Sequence, residues 1–157
     1  MTTNQSIEAF WQAYLASLPE GEARSTTYQA WGFGDSPEMA DELGQLVKAG
    51  VKTATCSLLW EYEADGDPIP QVGDLSIILA GAGRPLCIIE TVELERQPYD
   101  QVEAQFAYDE GEGDRTLAYW REAHWRFFSR SCARISREVS ETMPLLCERF
   151  RVVYSKK

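Results

Sequence analysis

The stretch Ala49-Gly50-Val51-Lys52-Thr53-Ala54-Thr55 stands where the pattern of the chain changes from helical to extended. Before it, apolar residues recur at helical spacing. After it, residues 53–62 are rich in Thr and aromatic side chains, which predicts a strand. Gly50 is well placed to end the helix, because glycine adopts positive φ without steric cost. The sequence therefore predicts a helix–turn–strand junction at Gly50.

Two polar side chains follow this junction at short spacing. Lys52 is expected to project from the turn, and Thr55, three residues later, can reach the same cavity from the start of the strand. By itself this pattern is a weak signal, since a lysine after a helix-ending glycine is usually a solvated surface residue. The pattern makes Lys52 and Thr55 candidate site residues rather than established ones.

Helices are predicted on both sides of the junction. Apolar residues at helical spacing indicate an amphipathic helix over 6–18. A second helix begins at Asp35 or Ser36, either of which suits an N-cap. A C-terminal helix is predicted over 114–132, with Asp114 as its cap.

Strands occupy the middle and the end of the chain. Residues 75–80 and 85–94 predict a hairpin around a glycine-rich turn, and 145–154 predict a final strand. A short helix is expected over 99–106. Strands with helices around them describe an α+β barrel or curved sheet. The length of 157 residues suits one domain with one core, so we expect a single domain over 1–157.

Composition sets the class of protein. The hydrophobic fraction of 44% and aromatic fraction of 11% favour a packed globule over disorder. No apolar run is long enough to span a bilayer, and the N-terminus lacks a signal-peptide pattern, so we expect a cytoplasmic protein. Four cysteines without a CxxC pair indicate small buried residues, not a disulfide frame or a metal site: Cys56, Cys87, Cys132 and Cys147. No metal and no cofactor is predicted.

Charge is strongly negative and unevenly distributed. The net charge of −10 argues against nonspecific binding to duplex nucleic acid, which needs many phosphate contacts. A local pocket for a nucleotide or a single strand stays possible. Residues 103–114 carry five acids and no base, whereas 115–137 carry six arginines and one acid. The arginines at helical spacing predict either a basic stripe for RNA or a solvated helix face.

Several motifs together resemble those of the ASCH family, and within it the stand-alone bacterial proteins of about this length. The resemblance covers nearly the whole chain. It implies a PUA-like/ASCH β-barrel flanked by helices, a ligand cleft, and a role related to RNA or to a modified nucleoside. The motifs that carry it are the junction stretch, Trp31-Gly32-Phe33-Gly34-Asp35, Pro70-Gln71-Val72-Gly73-Asp74, Glu90, Glu110-Gly111-Glu112-Gly113-Asp114-Arg115, residues 118–124 and Cys147-Glu148-Arg149-Phe150.

The resemblance also implies catalytic candidates. Some small ASCH proteins are amidohydrolases of N4-acylated cytidines that use a Lys, a Thr three residues later and a Glu on a later strand, which Lys52, Thr55 and Glu90 match by position and type. Another ASCH protein is a ribonuclease in which the motif Lys is implicated. This sequence and the amidohydrolases share Thr at position 55, where many other members have Glu. Ser57 stands where the amidohydrolases and many other members have Arg, an expected anchor for a base or phosphate.

The proposed roles carry a physical requirement. A Thr hydroxyl is a poor nucleophile until a base takes its proton. Lys52 can be that base only when neutral, and lowering its pKa from about 10.4 to about 7 costs roughly 4–5 kcal/mol. Glu90 would oppose that shift, since a carboxylate stabilises the ammonium. Glu90 could instead carry a proton to the leaving amine or hold Lys52 in place.

A second set of residues is predicted to contact a ligand. Aromatic side chains could stack on a base, Arg115 at a helix start could hold a phosphate, and the single histidine could act in RNA cleavage. Each has a structural alternative: core packing, a helix cap or a partly buried histidine. The set comprises Trp31, Phe33, Gly34, Ser57, Trp60, Asp114, Arg115, Trp120 and His124.

Three functions therefore stay open from the sequence. The first is hydrolysis of an N4-acylated cytidine, and it needs Lys52, Thr55 and Glu90 to converge. The second is cleavage of single-stranded RNA in the same cleft, with a salt-sensitive contact to the arginine-rich helix. The third is binding of an RNA element or a modified nucleotide without turnover.

Overall fold

A computed structural model describes residues 3–21 and 27–155. Helices and strands alternate irregularly along the chain, as expected for an α+β protein. A short 3-10 helix at Tyr99–Gln101 follows β4 directly. The other elements are α1 Thr3–Ser17, β1 Gln29–Trp31, α2 Pro37–Lys48, β2 Ala54–Leu58, α3 Leu59–Asp65, β3 Leu75–Leu79, β4 Pro85–Pro98, α4 Ala104–Glu110, α5 Leu117–Arg134 and β5 Pro144–Ser155.

The five strands form one sheet in the order β1-β3-β4-β5-β2. β3 and β4 pair antiparallel as the predicted hairpin, with Ile77 opposite Ile88. β2 and β5 also pair antiparallel, with Cys56 opposite Cys147. β1 is parallel to β3. The α+β class predicted from the sequence is confirmed.

The residues group into two compact units. The first unit contains residues up to 50, 73–90 and those from 151 onward, and the second contains 51–72 and 91–150. β4 and β5 therefore each contribute one part to each unit. A single domain over 1–157 remains a prediction.

The core of the first unit combines α1 with β3 and β4. Phe10, Trp11 and Tyr14 are buried on the apolar face of α1, together with Ile77 and Ile88. Their 3–4 residue spacing is the reason that the helix was predictable, because it forms one continuous apolar stripe. The predicted bounds 6–18 lie close to the observed Thr3–Ser17.

The core of the second unit collects side chains from β2, α4, α5 and β5. Leu58, Phe106, Trp120, Phe128 and Leu145 are buried in one cluster. Polar residues share this interior, as described below. Across the described ranges, 3–21 and 27–155, we find no helix with the length and apolar character to cross a membrane.

The strand predicted over 53–62 is correct only in its first half. β2 ends at Leu58, and Leu59–Asp65 continue as α3, which ends at Gly66 with φ +69°. The aromatic side chains that suggested a strand suit a helix here: the Trp60 ring packs on the second unit's core and stacks with the Arg137 guanidinium at 4.4 Å. β-propensity reflects packing context more than a backbone preference.

The predicted cap of the last helix is also displaced. Thr116, not Asp114, is the N-cap of α5, and its hydroxyl accepts from the Tyr119 amide. Arg115 has φ +66°, which is incompatible with a helix starting at that residue. Asp114 instead accepts from the amide and hydroxyl of Thr116 and so holds the cap in place.

Candidate functional site

The junction that defines the site is built as the sequence predicts. Ser36 is the N-cap of α2, which ends at Lys48, and Gly50 follows with φ +79°. The amide of Thr53 then donates to the carbonyl of Asp109 at 2.8 Å, and the Phe150 amide donates to the Thr53 carbonyl at 3.1 Å. These two bonds fix the backbone of Thr53, directly after residue 52.

Lys52 points into the interior and is 1% exposed, so it is not a solvated surface residue. Its Nζ lies 2.9 Å from Glu110 Oε1 and 2.6 Å from Glu112 Oε2. It also donates to the carbonyl of Ala54 at 2.9 Å. The Glu110 carbonyl lies at 3.4 Å as a further, longer contact, so acceptors surround the three N–H groups of the ammonium.

Glu110 connects Lys52 to α5. Its Oε2 accepts from Trp120 Nε1 at 2.7 Å and lies 3.6 Å from His124 Nε2. The His124 ring stacks on Trp120 with 4.3 Å between centroids, and His124 Nδ1 lies 2.9 Å from the Trp120 carbonyl. We call Lys52, Glu110, Glu112 and His124 the buried ion cluster. The sequence predicted a partly buried structural histidine, and His124 is 9% exposed.

The charges within the cluster stabilise one another. Burial alone lowers the pKa of Lys52, but Glu110 and Glu112 outweigh it and the net shift is upward. Burial raises the pKa of Glu110, but the charges of Lys52 and His124 hold that pKa well below its usual value. Burial lowers the pKa of His124, but Glu110, with help from Glu112 and the Trp120 backbone, outweighs it and the net shift is upward. Lys52 is therefore an ammonium ion paired with a carboxylate.

Glu112 is the cluster member nearest to solvent, with 15% of its side chain exposed against 1% for Glu110. Burial raises the pKa of Glu112 further than Lys52 lowers it. These surroundings do not supply the lowered pKa that Lys52 would need to act as a neutral base. A charged Lys52 can orient groups or stabilise a developing anion, but it cannot take a proton from Thr55.

The loop that carries the two glutamates approaches the junction closely. Gly111 has φ +73°, and a Cβ at this position would lie 2.6 Å from the carbonyl oxygen of Val51 and 3.0 Å from the Cα of Lys52. A glycine is therefore required both by the backbone conformation and by the space. This close approach brings Glu110 and Glu112 within ion-pair distance of the Lys52 ammonium.

Cys56 adds a sulfur atom to the same region. It faces the second unit's core from β2, and one donor atom each from Cys56, Glu110 and His124 lie within 4.8 Å of one another. Burial, with the nearby Glu110 carboxylate, raises the pKa of the Cys56 thiol well above its usual value. No disulfide forms at Cys56, Cys87, Cys132 or Cys147, in agreement with the sequence prediction.

Thr55 belongs to the other face of β2. Successive side chains of a strand alternate between its faces, so Thr55 and Ser57 point away from the side that Ala54 and Cys56 take in the core. The residue opposite Thr55 on β5 is Glu148, which is buried and accepts from the Thr91 hydroxyl at 2.7 Å. Thr55 thus has a carboxylate as its cross-strand neighbour.

Ser57, where the resemblance led us to expect an Arg, has a structural contact. Its hydroxyl forms a 2.8 Å hydrogen bond with the Tyr62 hydroxyl on α3. The small side chain ties β2 to α3 and leaves no positive charge at this position.

Glu90, the third predicted catalytic residue, lies in the first unit. Its Oε1 accepts from Arg151, with 2.8 Å to Nε and 2.7 Å to a terminal nitrogen. Lys52 and Thr55 lie in the second unit. Convergence of Lys52, Thr55 and Glu90 remains a prediction.

The aromatic candidates near β1 pack within the first unit. Trp31 is half-buried and meets the buried Phe33 edge to face, with 4.6 Å between ring centroids. Gly34 has φ +78°, and a Cβ there would lie 2.6 Å from Met39 Cβ. These contacts match the structural alternative, core packing, while ligand binding by these residues remains a prediction.

The arginine-rich helix carries less open positive charge than its sequence indicates. Arg134 pairs with Asp65 and Glu61 at 2.8 and 2.7 Å, and Arg126 pairs with Glu122 at 2.8 Å. These acids neutralise part of the predicted basic stripe. The observation favours the solvated helix face over a long RNA-binding stripe.

Arg115 occupies a more open position on the acidic loop. Its guanidinium lies 3.7 Å from the centroid of the Tyr108 ring, and Tyr108 is 50% exposed. Tyr119, 39% exposed, packs against Gly113, where a Cβ would meet its ring at 2.3 Å. We call Tyr108, Arg115 and Tyr119 the aromatic–arginine surface.

A cleft of about 210 Å³ opens elsewhere in the second unit. Glu93, Glu95 and Glu103 line it together with Phe106 and Arg149. Arg149 is itself held by Asp109 at 2.7 Å. Its mostly acidic lining does not suit a phosphate group.

These features define an α+β fold with a buried ion cluster behind an exposed loop. The chain belongs to the ASCH domain family, whose family model matches residues 29–154. The family has a PUA-like fold that is generally RNA-binding. The fold class and the family predicted from the sequence are both confirmed.

Solved structures of similar proteins agree with this assignment. A crystal structure of an ASCH domain from Lactobacillus crispatus JV V101 has a TM-score of 0.90 and 38% sequence identity, and the match covers 96% of this chain and 95% of that chain. A crystal structure of a protein from Enterococcus faecalis V583 has a TM-score of 0.86 and 40% identity, covering 96% and 89% of the two chains. No curated protein matches the chain.

Sequence reasoning missed four residues of this region. Glu110, Glu112, Cys56 and Glu148 were quoted within motifs or counts but were not assigned to the site. One signal was available: an acidic segment over 103–114 without a base needs a cation from elsewhere in the chain. Sequence spacing could not identify Lys52 as that cation, because Lys52 lies 58 residues before Glu110 in the chain.

Proposed function

We propose that this ASCH domain binds single-stranded RNA or a modified nucleotide without turnover, and that the aromatic–arginine surface makes the contact. The observation that carries the proposal is the Arg115 guanidinium lying over the half-exposed ring of Tyr108 at 3.7 Å. An exposed aromatic ring offers a stacking surface for a base, and an arginine beside it offers donors for a phosphate.

The geometry of Arg115 supports such a contact. Its Nε donates to the Tyr108 carbonyl at 3.0 Å, which orients the guanidinium plane over the ring. The two terminal nitrogens are the donors that a phosphate would take. Because the protein carries a net charge of −10, binding would rest on a few stacked bases and not on many phosphates. This favours a single strand or a nucleotide over a duplex.

Binding can be tested by fluorescence anisotropy with a labelled single-stranded RNA at several salt concentrations. Tyr108→Ala should weaken binding roughly 5- to 150-fold, the equivalent of about 1–3 kcal/mol for one lost stack. Arg115→Ala should also make the plot of the logarithm of the binding constant against the logarithm of salt concentration less steep. The slope should change by about 0.7, as expected for one lost phosphate contact on a single strand.

The matched control is Arg96→Ala, which removes an exposed arginine from β4 in the same unit. This variant should bind like the unmodified protein. If Tyr108→Ala and Arg115→Ala bind RNA as tightly as Arg96→Ala does, the aromatic–arginine surface is not the binding site.

A second candidate function is hydrolysis of an N4-acylated cytidine, and the pairing of Thr55 with Glu148 favours it. Residues directly opposite on antiparallel strands have Cβ atoms about 5 Å apart, so a carboxylate lies near the proposed nucleophile. In this scheme the Thr55 oxygen attacks the amide carbon while a carboxylate takes its proton. The cytidine amine then leaves with a proton, and water cleaves the acyl ester.

This scheme changes the roles implied by the resemblance. Glu148 would be the base, the charged Lys52 would act as an electrostatic support, and Glu90 remains a proposed proton carrier. Incubation with N4-acetylcytidine should release acetate, and Thr55→Val should abolish release. Ser57→Ala, which keeps Thr55 and Glu148, is the matched control.

The same incubation with a single-stranded RNA separates the remaining alternatives. RNA fragments without acetate would indicate a ribonuclease, the second function left open by the sequence. Measurable RNA binding with neither product would support binding alone. Release of acetate that survives Thr55→Val would contradict the hydrolase scheme.

A further inference from the structure

We propose that Cys56, Glu110 and His124 form a binding site for one divalent transition-metal ion, with Zn²⁺ as the best-fitting class. The three residues come from β2, the end of α4 and α5, and one donor atom of each lies within 4.8 Å of the others. Thiolate, imidazole and carboxylate are the ligand types that zinc takes in proteins. This site is independent of the proposed RNA contact.

The distances are close to those of a zinc site. Zinc bonds of about 2.0–2.3 Å in a tetrahedral arrangement place donor atoms about 3.5 Å apart. His124 Nε2 and Glu110 Oε2 are already 3.6 Å apart. The three donor atoms all lie within 4.8 Å of one another, so small side-chain rotations would bring them to the tetrahedral spacing.

The groups around the three donors are those that usually support a metal ligand. A ligating histidine normally directs its other nitrogen at a carbonyl or carboxylate, and His124 Nδ1 lies 2.9 Å from the Trp120 carbonyl. That contact leaves Nε2 facing Glu110. A ligating carboxylate is normally hydrogen-bonded as well, and Glu110 accepts from Trp120 Nε1 and from Lys52.

The existing hydrogen bonds of Glu110 do not exclude a metal ion. A carboxylate offers about four lone-pair directions, and Trp120 takes one of the two on Oε2 at 2.7 Å. The two carboxylates of Glu110 and Glu112 lie beside the site, and a metal ion would take the place of any proton on His124 Nε2. Metal binding would displace the thiol proton of Cys56, as coordination normally does.

The test is a titration of the full chain, freed of metal with a chelator, with Co²⁺ and separately with Zn²⁺. We expect one equivalent of metal per chain and a thiolate-to-cobalt charge-transfer absorption. Cys56→Ala should abolish that absorption and weaken binding at least about 100-fold, since it removes one of three ligands. Trp120→Phe, which keeps a ring but removes the indole N–H, should weaken binding about 10- to 100-fold.

Cys132→Ala is the matched control, because Cys132 is another buried cysteine of the second unit outside the donor group. It should bind metal with unchanged affinity and absorption. Substoichiometric uptake by the unmodified protein would overturn the proposal without any variant having to fold. Stoichiometric binding that survives Cys56→Ala would assign the metal elsewhere and would also overturn it.

Discussion

In the first unit, α1 packs on β3 and β4 through aromatic and aliphatic side chains, whereas in the second unit a lysine, two glutamates and a histidine share the interior with apolar residues. Phe10 and Trp11 represent the first arrangement, and both contact other rings, Tyr154 and Tyr28, at 5.2 and 4.6 Å. Lys52 and Glu110 represent the second, each 1% exposed and 2.9 Å apart.

The difference predicts how each unit responds to substitution. Apolar contacts are non-directional, so a core of this kind tolerates conservative changes of shape at a modest cost. A buried ion pair is intolerant of losing one partner, because the remaining charge is left without compensation in a medium that solvates it poorly.

The largest effect is expected for Lys52→Met. This change removes the ammonium and leaves Glu110 and Glu112 buried beside each other, and we expect a loss of about 3–5 kcal/mol in the free energy of unfolding. Urea unfolding measures it. Lys48→Met, a half-buried lysine on α2, is the control and should change stability by less than about 0.5 kcal/mol. Equal losses for both variants would show that the cluster does not stabilise the protein.

The next effect separates two glycines with similar backbone conformations. Gly111→Ala combines positive φ with a Cβ 2.6 Å from the Val51 carbonyl, and we expect a loss of about 2–4 kcal/mol. Gly50→Ala has the same positive φ with no atom within 4 Å, so about 1 kcal/mol is expected from backbone strain alone. Thermal unfolding of the two variants should rank them in this order. A larger loss at Gly50 would contradict the close approach at Gly111.

A smaller effect is expected from a conservative change in the first unit. Ile88→Val removes one methyl group from a fully buried side chain, which typically costs about 0.5–1.5 kcal/mol. Urea unfolding again provides the measurement. Val92→Ala, on the exposed part of β4, should have little effect and controls for loss of β-propensity. A cost at Ile88 as large as that of Lys52→Met would remove the contrast between the units.

The smallest effect is expected for Arg134→Ala on the surface of the second unit. Hydrogen bonds from Arg134 lower the pKa of Asp65, so the pair stabilises the fold above the pKa that Asp65 has when unfolded. This contribution is lost as the pH falls through the lower, folded pKa. The difference between Arg134→Ala and the unmodified protein should therefore be small near neutrality and should vanish in acid. Unfolding curves at neutral and acidic pH test this, and a difference that grows in acid would contradict it.

Local patterns explain why much of the fold could be predicted. The apolar stripe of α1, the Ser36 cap and Gly50 stop of α2, and the β3–β4 hairpin depend on neighbouring residues, so their signals lie within one window of sequence. Predictions failed where contacts from distant residues overrode local preference. The segment after Leu58 turned from the predicted strand into α3, and Arg115, with positive φ, moved the start of α5 to Leu117.

The sequence by itself determined the α+β class, the ASCH family and the positions of Lys52 just before β2 and Thr55 within it. Only the tertiary structure decided what surrounds them: Lys52 meets Glu110 and Glu112, and Thr55 lies opposite Glu148. The physical reason is the range of the interactions. Capping and periodicity act over a few residues, whereas an ion pair or a strand register joins residues whose separation in the chain carries no information about their separation in space.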